Sequence, residues 1–233
     1  RDGFETFAAS LKAAHRSGPL EFGAVGHWIE GHSEYDGFDP VTFRRADTAD
    51  ETRNRIGAVR AWTRFERNGW MARAEASWLD SANRNFLAGA ALNRTAGARL
   101  TLGAQLSKRH GRHTLIAAAE RQEEDFQARD TAFFGGTDQD RSRSLNALVA
   151  EWRANWTSFV STDAAVRHDD FSTFADATTL RASLLIRPAR GWTVHAAYGE
   201  GIAQPTFYDL HGFFPSSFVG NPALRPERSK GWE

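Results

Sequence analysis

The sequence predicts an all-β protein made of antiparallel strands, and three observations support this fold class. Apolar and polar residues alternate in several segments, most regularly in residues 70–80, where Trp70 and Trp78 bracket three alanines on one face. Alternation with a period of two is typical of strands. Short turn motifs, of which Asn68-Gly69 is the strongest hairpin sequence, separate pairs of these segments. Longer polar stretches connect one pair to the next.

Each element follows from its local pattern, and together they amount to about ten strands and the start of another. The predicted strands span residues 21–32, 54–65, 70–80, 96–106, 113–122, 143–153, 158–169, 178–187 and 192–198, with a weaker one at residues 4–15. Short turns are predicted near residues 17, 68, 111, 155 and 190. Polar composition predicts long loops at residues 33–52, 81–93 and 123–140, and a final aromatic loop after residue 198.

Three of these segments also fit helices. Residues 54–65 follow a capping-box pattern, Thr48-x-x-Glu51, and carry apolar residues at a spacing of three. Residues 115–126 are rich in Ala, Glu and Gln, and residues 145–152 fit one helical face. Strands of matching length lie between these segments, so an all-β arrangement accounts for all of them together. A mixed α/β domain is the alternative.

The spacing of turns and tryptophans predicts that the strands form part of a transmembrane β-barrel. Short turns on one side and long loops on the other are typical of outer-membrane barrels, whose short turns face the periplasm. Trp70, Trp152, Trp156 and Trp192 all lie within about four residues of a short turn, as in an aromatic belt at a membrane boundary. No run reaches the roughly 18 apolar residues of a membrane helix, a test that does not detect barrel strands.

The C-terminal region carries the most specific motifs. It contains Ala197-Tyr198-Gly199-Glu200-Gly201, then Pro205-Thr206-Phe207-Tyr208-Asp209-Leu210, and then Gly220-Asn221-Pro222-Ala223-Leu224-Arg225-Pro226-Glu227. This region resembles the TonB-dependent outer-membrane receptors. The PTFYDL and GFFP segments are similar to the cobalamin (vitamin B12) transporter branch of that family. The matching motif residues are Gly199, Pro205, Gly220, Asn221, Pro222, Pro226 and Glu227.

The resemblance implies a fold and a function. It implies that residues 1–233 are part of the wall of a 22-stranded plugged barrel, with the plug domain and both ends of a longer chain outside this sequence. It further implies an outer-membrane receptor that binds a scarce nutrient, either cobalamin or a metal chelate such as a siderophore. Energy for import would come from the TonB complex acting through the plug. No cofactor is expected.

Candidate site residues fall into two groups. The polar face of the strands is expected to line the lumen and contact the plug, and the opposite face to contact outer-membrane lipid. The lumen-facing candidates are Arg73, Glu75, Arg99, Arg167, Asp169, Arg181 and Arg187. The loop candidates for substrate binding are Tyr208, Asp209, His211, Phe213, Phe214, Phe218, Phe133 and Phe134. The alternative for the aromatic residues is that they pack on one another to order the loops.

Other chemistry has little support in the sequence. His168-Asp169-Asp170 has no serine in a nucleophile-elbow motif, so an enzyme is not expected. His27, His32, Glu34, Asp36 and Asp39 cluster, but a solvated acidic loop is favoured over a cation site, and no metal is assigned. With 29 basic and 29 acidic residues, the chain has no excess charge to attract nucleic acid. A passive outer-membrane channel and a soluble β-rich binding domain remain the alternative functions.

Overall fold

A computed structural model describes residues 3–39, 41–131, 137–214 and 218–233. Within them, one antiparallel sheet of 11 strands follows the order of the chain. Its strands are β1 (Phe4–Ser17), β2 (Leu20–Phe38), β3 (Arg45–Arg67), β4 (Trp70–Leu87), β5 (Ala90–His110), β6 (His113–Asp130), β7 (Gln139–Asn155), β8 (Val160–Phe171), β9 (Ala177–Ile186), β10 (Val194–Ala203) and β13 (Glu227–Trp232). Between β10 and β13 lie helix α1 (Phe207–His211) and a two-stranded ribbon, β11 (Phe213–Phe214) and β12 (Phe218–Val219).

The all-β antiparallel prediction is confirmed. Each strand from β1 to β10 pairs with the next along the chain, and β10 then pairs with β13. The three segments that also fitted helices lie within β3, β6 and β7. In those segments the cross-strand hydrogen bonds outweigh intrinsic helix propensity, which is a weak preference that tertiary context overrides. The sheet does not close on itself in this chain, because β1 and β13 each have one neighbour.

The predicted long loops at residues 33–52, 81–93 and 123–140 are wrong. Most of their residues extend the strands: β2 continues to Phe38, β3 begins at Arg45, and β6 continues to Asp130. Only Ala88 and Gly89 connect β4 to β5. These extensions carry polar residues on both faces, so they lack the alternation that identifies a strand in a sequence. Pairing with the neighbouring strand holds them extended instead.

The predicted short turns are confirmed, and their backbone angles explain their residues. Asn68 and Gly69 have φ values of 51° and 75°, which match the type I′ turn that joins tightly paired strands. Ala88 and Gly89, with φ values of 49° and 80°, form a similar turn at the opposite edge of the sheet. There the Asp50 carboxylate, only 3% exposed, accepts a 2.7 Å hydrogen bond from the Ala88 amide.

The register gives the sheet two chemically distinct faces. One, the apolar face, contains Trp70, Trp78 and the alanines between them in β4, paired across to Leu106, Leu102 and Leu100 in β5. Large hydrophobic side chains there are exposed, including Leu148 at 64% and Leu106 at 48%. The opposite, polar face contains six of the seven predicted lumen residues: Arg73, Glu75, Arg99, Arg167, Asp169 and Arg181. Arg187 lies just past the end of β9.

The tryptophans predicted to lie near the short turns are found at that edge of the sheet. Trp152 and Trp156 meet edge to face with ring centroids 5.5 Å apart, and His113 stacks on Trp152 at 5.9 Å. The Lys108 ammonium lies 4.7 Å from the Trp70 ring centroid. Each ring therefore combines an apolar body with a polar neighbour at this edge. In the described part of the chain, no helix has the length and apolarity needed to cross a membrane.

Replacing Asp50 by Ala is expected to loosen the β4–β5 turn. The Ala88 amide would lose a charged acceptor, a hydrogen bond that contributes about 1.5–3 kcal/mol. Hydrogen exchange at Ala88 and Gly89 in the full-length protein should therefore speed up, whereas Asp50→Asn, which retains an oxygen acceptor, should change it less. Equal protection in Asp50→Ala and the parent would contradict this role.

Candidate functional site

Arginines and carboxylates on the polar face form ion pairs that cross several strands. Glu75 accepts from Arg60 at 2.5 Å and from Arg73 at 2.7 Å. A second group joins Glu151 and Asp163 to Arg153 and Arg181. Arg167 bridges Asp169 and Glu120 at 2.8 and 3.2 Å. Because every carboxylate in these groups is paired with at least one arginine on the same strand or a nearby one, the polar face carries many charges with little net excess.

Four residues outside the predicted set hold the loop between β10 and β13 against the sheet. Glu124, Phe126, Arg143 and Phe207 form this docking cluster. The Glu124 carboxylate, 6% exposed, pairs with both Arg143 and Arg99. Glu124 and Phe126 were not among the predicted site residues, because both lie in the segment predicted to be a loop. Both residues share one face of the strand with Gln122 and Ala128, and this becomes clear only once β6 is known to continue to Asp130.

Arg143 makes three kinds of contact within this cluster. It pairs with Glu124, donates a 2.7 Å hydrogen bond to the Pro205 carbonyl, and places its guanidinium carbon 4.5 Å from the Phe207 ring centroid. The Phe207 ring also stacks on Phe126, with centroids 5.5 Å apart and planes inclined by 7°. The first residues of the loop are therefore fixed to β6 and β7 on the polar face.

Helix α1 begins with a capping box that uses one of the predicted substrate residues. The Thr206 hydroxyl accepts from the Asp209 amide at 3.1 Å, and the Asp209 carboxylate accepts from the Thr206 amide at 2.8 Å. Hydrogen bonds from the Thr206 side chain and amide lower the pKa of Asp209. Asp209 thus has a structural role at the start of the helix.

The Gly-Asn-Pro motif turns the chain directly over α1. The Gly220 amide donates to the Gly212 carbonyl at 2.7 Å, and the Asn221 amide donates to the Asp209 carbonyl at 2.8 Å. A Cβ atom at Gly220 would lie 2.5 Å from the His211 amide nitrogen, so a larger residue cannot fit without moving the backbone. The Asn221 side chain then accepts from the Ala223 amide at 2.9 Å.

The other motif residues frame the loop. Gly199 lies in β10 opposite Gly231, and Pro205 supplies the carbonyl that Arg143 binds. Pro222 and Pro226 precede β13, which begins at Glu227 opposite Ala203. The motif therefore surrounds the loop and orders its backbone.

The predicted substrate residues of the loop have different surroundings. Tyr208 is 48% exposed on α1. His211 is half-buried, and burial together with the charge of Arg141 lowers its pKa. The backbones of Phe213, Phe214 and Phe218 form the β11–β12 ribbon. Phe133 and Phe134 lie outside the described residues.

Only part of the His- and Asp-rich cluster comes together. His32, Glu34 and Glu51 bring one potential ligand atom each to within 4.8 Å of one another. The His32 ring nitrogen lies 2.7 Å from a Glu51 carboxylate oxygen, and Arg53 also pairs with Glu51. Asp39 instead binds Thr42 and Val41 within its own loop. The arrangement is that of an ion-pair group and supports no metal assignment.

Comparisons with known proteins agree with this architecture. A family model described as "TonB dependent receptor-like, beta-barrel" matches residues 8–233. A stretch of 76 residues is 41% identical to the vitamin B12 transporter BtuB of Vibrio vulnificus (strain YJ016), and covers 33% of this chain and 12% of that protein.

Two solved receptors share the fold at low sequence identity. The siderophore receptor PirA from Acinetobacter baumannii matches with a TM-score of 0.75 and 14% identity over 99% of this chain. A mutant of the ferric enterobactin receptor PfeA from Pseudomonas aeruginosa matches with a TM-score of 0.75 and 12% identity over 100% of this chain. The chain spans 40% of the length of each of these receptors. With the family model covering nearly all its residues, this chain belongs to the TonB-dependent receptor family and forms part of the β-barrel.

Proposed function

We propose that this chain is part of the barrel wall of an outer-membrane receptor that binds a scarce nutrient and imports it with energy supplied through TonB. The cargo would be cobalamin or a metal chelate such as a siderophore. Membership of a receptor and transporter family supports this function. The stretch similar to a vitamin B12 transporter favours cobalamin, whereas the two solved receptors are named as a siderophore receptor and a ferric enterobactin receptor.

The two faces of the sheet support a transmembrane orientation. The apolar face would contact lipid and the polar face would line the lumen, because an arginine or lysine near the bilayer midplane costs about 2–4 kcal/mol. The ion pairs of the polar face fit an enclosed space that contains water and a plug domain. Arg73, Glu75, Arg99, Arg167, Asp169 and Arg181 would contact that plug, with Arg187 near the end of β9.

The observation that carries the proposal is the docking of the β10–β13 loop on the polar face. Arg143 and Phe207 hold the start of this loop on the face proposed to line the lumen, so α1 would lie at the mouth of the barrel. The exposed Tyr208 ring and the half-buried His211 ring would then be available to a ligand. Phe213, Phe214 and Phe218 in the same loop, and Phe133 and Phe134 in another, are proposed as further contacts.

Uptake of radiolabelled cobalamin and of ferric siderophores by cells that express the full-length protein tests the function. Uptake of one of these cargoes should require both the protein and an intact TonB complex. Uptake that persists without TonB would identify a passive channel. If the protein binds neither cargo, the proposed substrate class is wrong.

Replacing Arg143 by Ala is expected to release the loop and weaken cargo binding. The change removes a charged hydrogen bond that contributes about 1.5–3 kcal/mol, so affinity should fall roughly tenfold to a hundredfold. Titration of cargo against the full-length receptor measures the effect, and amide exchange in residues 206–212 should rise in parallel.

Arg64→Ala provides the matched control. Arg64 pairs with Glu66 near the short-turn edge, far along the sheet from the loop, and is about half exposed. Its replacement should leave cargo affinity unchanged. Equal cargo affinity in Arg143→Ala and the parent would show that the docking cluster does not contribute to cargo binding.

Arginine substitutions test which face meets lipid. Ala72→Arg and Ala74→Arg lie on the apolar face, and Ala74 is midway between Trp70 and Trp78. Ala74→Arg should lose about 2–4 kcal/mol of stability in vesicles, measured by urea titration of the full-length barrel, and Ala72→Arg should lose less because it lies nearer the short-turn boundary. Thr101→Arg, on the polar face between Ser77 and Gln122, should be nearly neutral. The lipid-facing assignment fails if Ala74→Arg is as stable as Thr101→Arg.

A further inference from the structure

Uncharged residues form a continuous area of the polar face, in the half of β2 to β5 away from the short turns. Elsewhere this face carries arginines and carboxylates. Here every polar-face residue within four stretches is uncharged, namely residues 29–33, 52–58, 79–85 and 93–97. We call this area the neutral patch. Because charge selects among ligands, the neutral patch and the wall around it favour different ligand chemistry.

Four asparagines and a threonine form a hydrogen-bonded network in the neutral patch. Asn85 lies at its centre, and its amide nitrogen donates to the side-chain oxygens of Asn83 at 2.9 Å and Asn93 at 2.7 Å. The Asn85 oxygen accepts from the Thr52 hydroxyl at 2.7 Å. The Asn83 amide nitrogen then donates to the Asn54 oxygen at 2.6 Å. The network spans β3, β4 and β5, and it holds the four carboxamides in fixed positions beside one another.

The two ends of this network keep unused hydrogen-bond donors. Asn54 and Asn93 each accept through the side-chain oxygen, and neither amide nitrogen donates to any residue that the structure describes. Asn54 is exposed, and Gly31 lies directly opposite it on β2. A Cβ atom at Gly31 would have its nearest neighbour, the Thr6 hydroxyl, at 3.9 Å, so the space beside Asn54 is open. Since a carboxamide has two N–H donors, both ends of the network can bind a ligand.

Apolar side chains continue the neutral patch toward the short turns. Ile56 on β3 pairs across to Ile29 on β2, and Leu79 on β4 lies opposite Ala58. Ile29, Ile56 and Leu79 are all exposed, on a face that is otherwise mostly polar. Exposed hydrophobic side chains rimmed by polar residues are typical of a ligand-binding surface. The neutral patch therefore combines carboxamides at one end with aliphatic side chains at the other.

The arginines that border the neutral patch already have partners. Arg60 and Arg99 lie on its short-turn side, and carboxylates of the polar face pair with both. On β6, an acidic residue, Asp130, lies opposite Asn93. Arg141 lies on β7, two strands from Asn93. An anionic ligand on the neutral patch would keep its charge unpaired, which is costly, whereas an uncharged ligand would not meet this cost.

From this chemistry we infer that the neutral patch binds an uncharged cargo that carries several carboxamide groups on an apolar body. The free donors of Asn54 and Asn93 would bind carbonyl oxygens of the cargo, and the aliphatic side chains would contact its apolar part. Gly97 of the patch lies opposite Phe126 of the docking cluster, so the patch adjoins the β10–β13 loop. Cobalamin, whose corrin ring carries carboxamide side chains, has this chemistry, whereas a ferric catecholate siderophore is an anion. The inference rests on the proposed function and narrows its substrate class.

Isothermal titration of the full-length receptor in detergent tests this inference, with cyanocobalamin and a ferric catecholate siderophore as the two probes. The parent should bind cyanocobalamin, and it should bind the ferric catecholate about tenfold or more weakly. Asn54→Asp retains the oxygen that accepts from Asn83 and removes only the free donors, so it should weaken cyanocobalamin binding about tenfold. Asn54→Ala/Asn93→Ala should weaken it further. Asn155→Asp is the matched control, because this exposed asparagine lies at the short-turn end of β7, and it should keep the parent affinity.

Two results would overturn the inference. One is equal affinity of the parent and Asn54→Asp for cyanocobalamin, and the other is a parent that binds the ferric catecholate more tightly. In both cases, TonB-dependent uptake of the preferred cargo by cells would leave the proposed function intact, so the two proposals fail separately. A parent that binds neither probe would overturn both. Heat-modifiable migration in gels shows whether the double variant folds, and if it does not, Asn54→Asp decides the result because it keeps the network.

Discussion

The continuous ladder of antiparallel hydrogen bonds is the constraint on which the rest of this structure depends. Every strand from β1 to β10 pairs with its sequence neighbour along most of its length. In a bilayer this pairing is obligatory, since the hydrocarbon core offers no water to unpaired amides and carbonyls. Strand pairing also determines which face each side chain occupies. A shift of one residue in register would exchange the two faces along a whole strand.

That division of faces lets a chain with 58 charged residues form one sheet without an ordinary buried core. The buried hydrophobic residues that the structure describes are few and small: Ala147, Ala154, Phe171, Ala177 and Leu210. Stability must come mainly from strand pairing and from the surroundings of each face. Ion pairs balance the polar face internally. The apolar face is exposed in the isolated chain, and lipid would cover it in the proposed transmembrane orientation.

The docking cluster links this wall to the loop between β10 and β13. Phe207, Arg143 and Glu124 combine a stacked ring, a charged hydrogen bond and an ion pair at one point of the polar face. The Gly-Asn-Pro turn then packs against α1 so closely that Gly220 has no room for a side chain. The motif residues order the backbone of the loop, and Tyr208 is one of the side chains exposed on its surface.

Alternation, turn residues and the C-terminal motif were sufficient to predict the strand order, the short turns and the polar face, because each depends on residues close together in sequence. Strand length and the docking cluster depend on register. Glu124 and Arg143 belong to different strands, and only the pairing of β6 with β7 brings them together. The sequence by itself determined the two-faced antiparallel sheet. Tertiary structure decided which charges meet, because cross-strand distance depends on where each strand begins to pair.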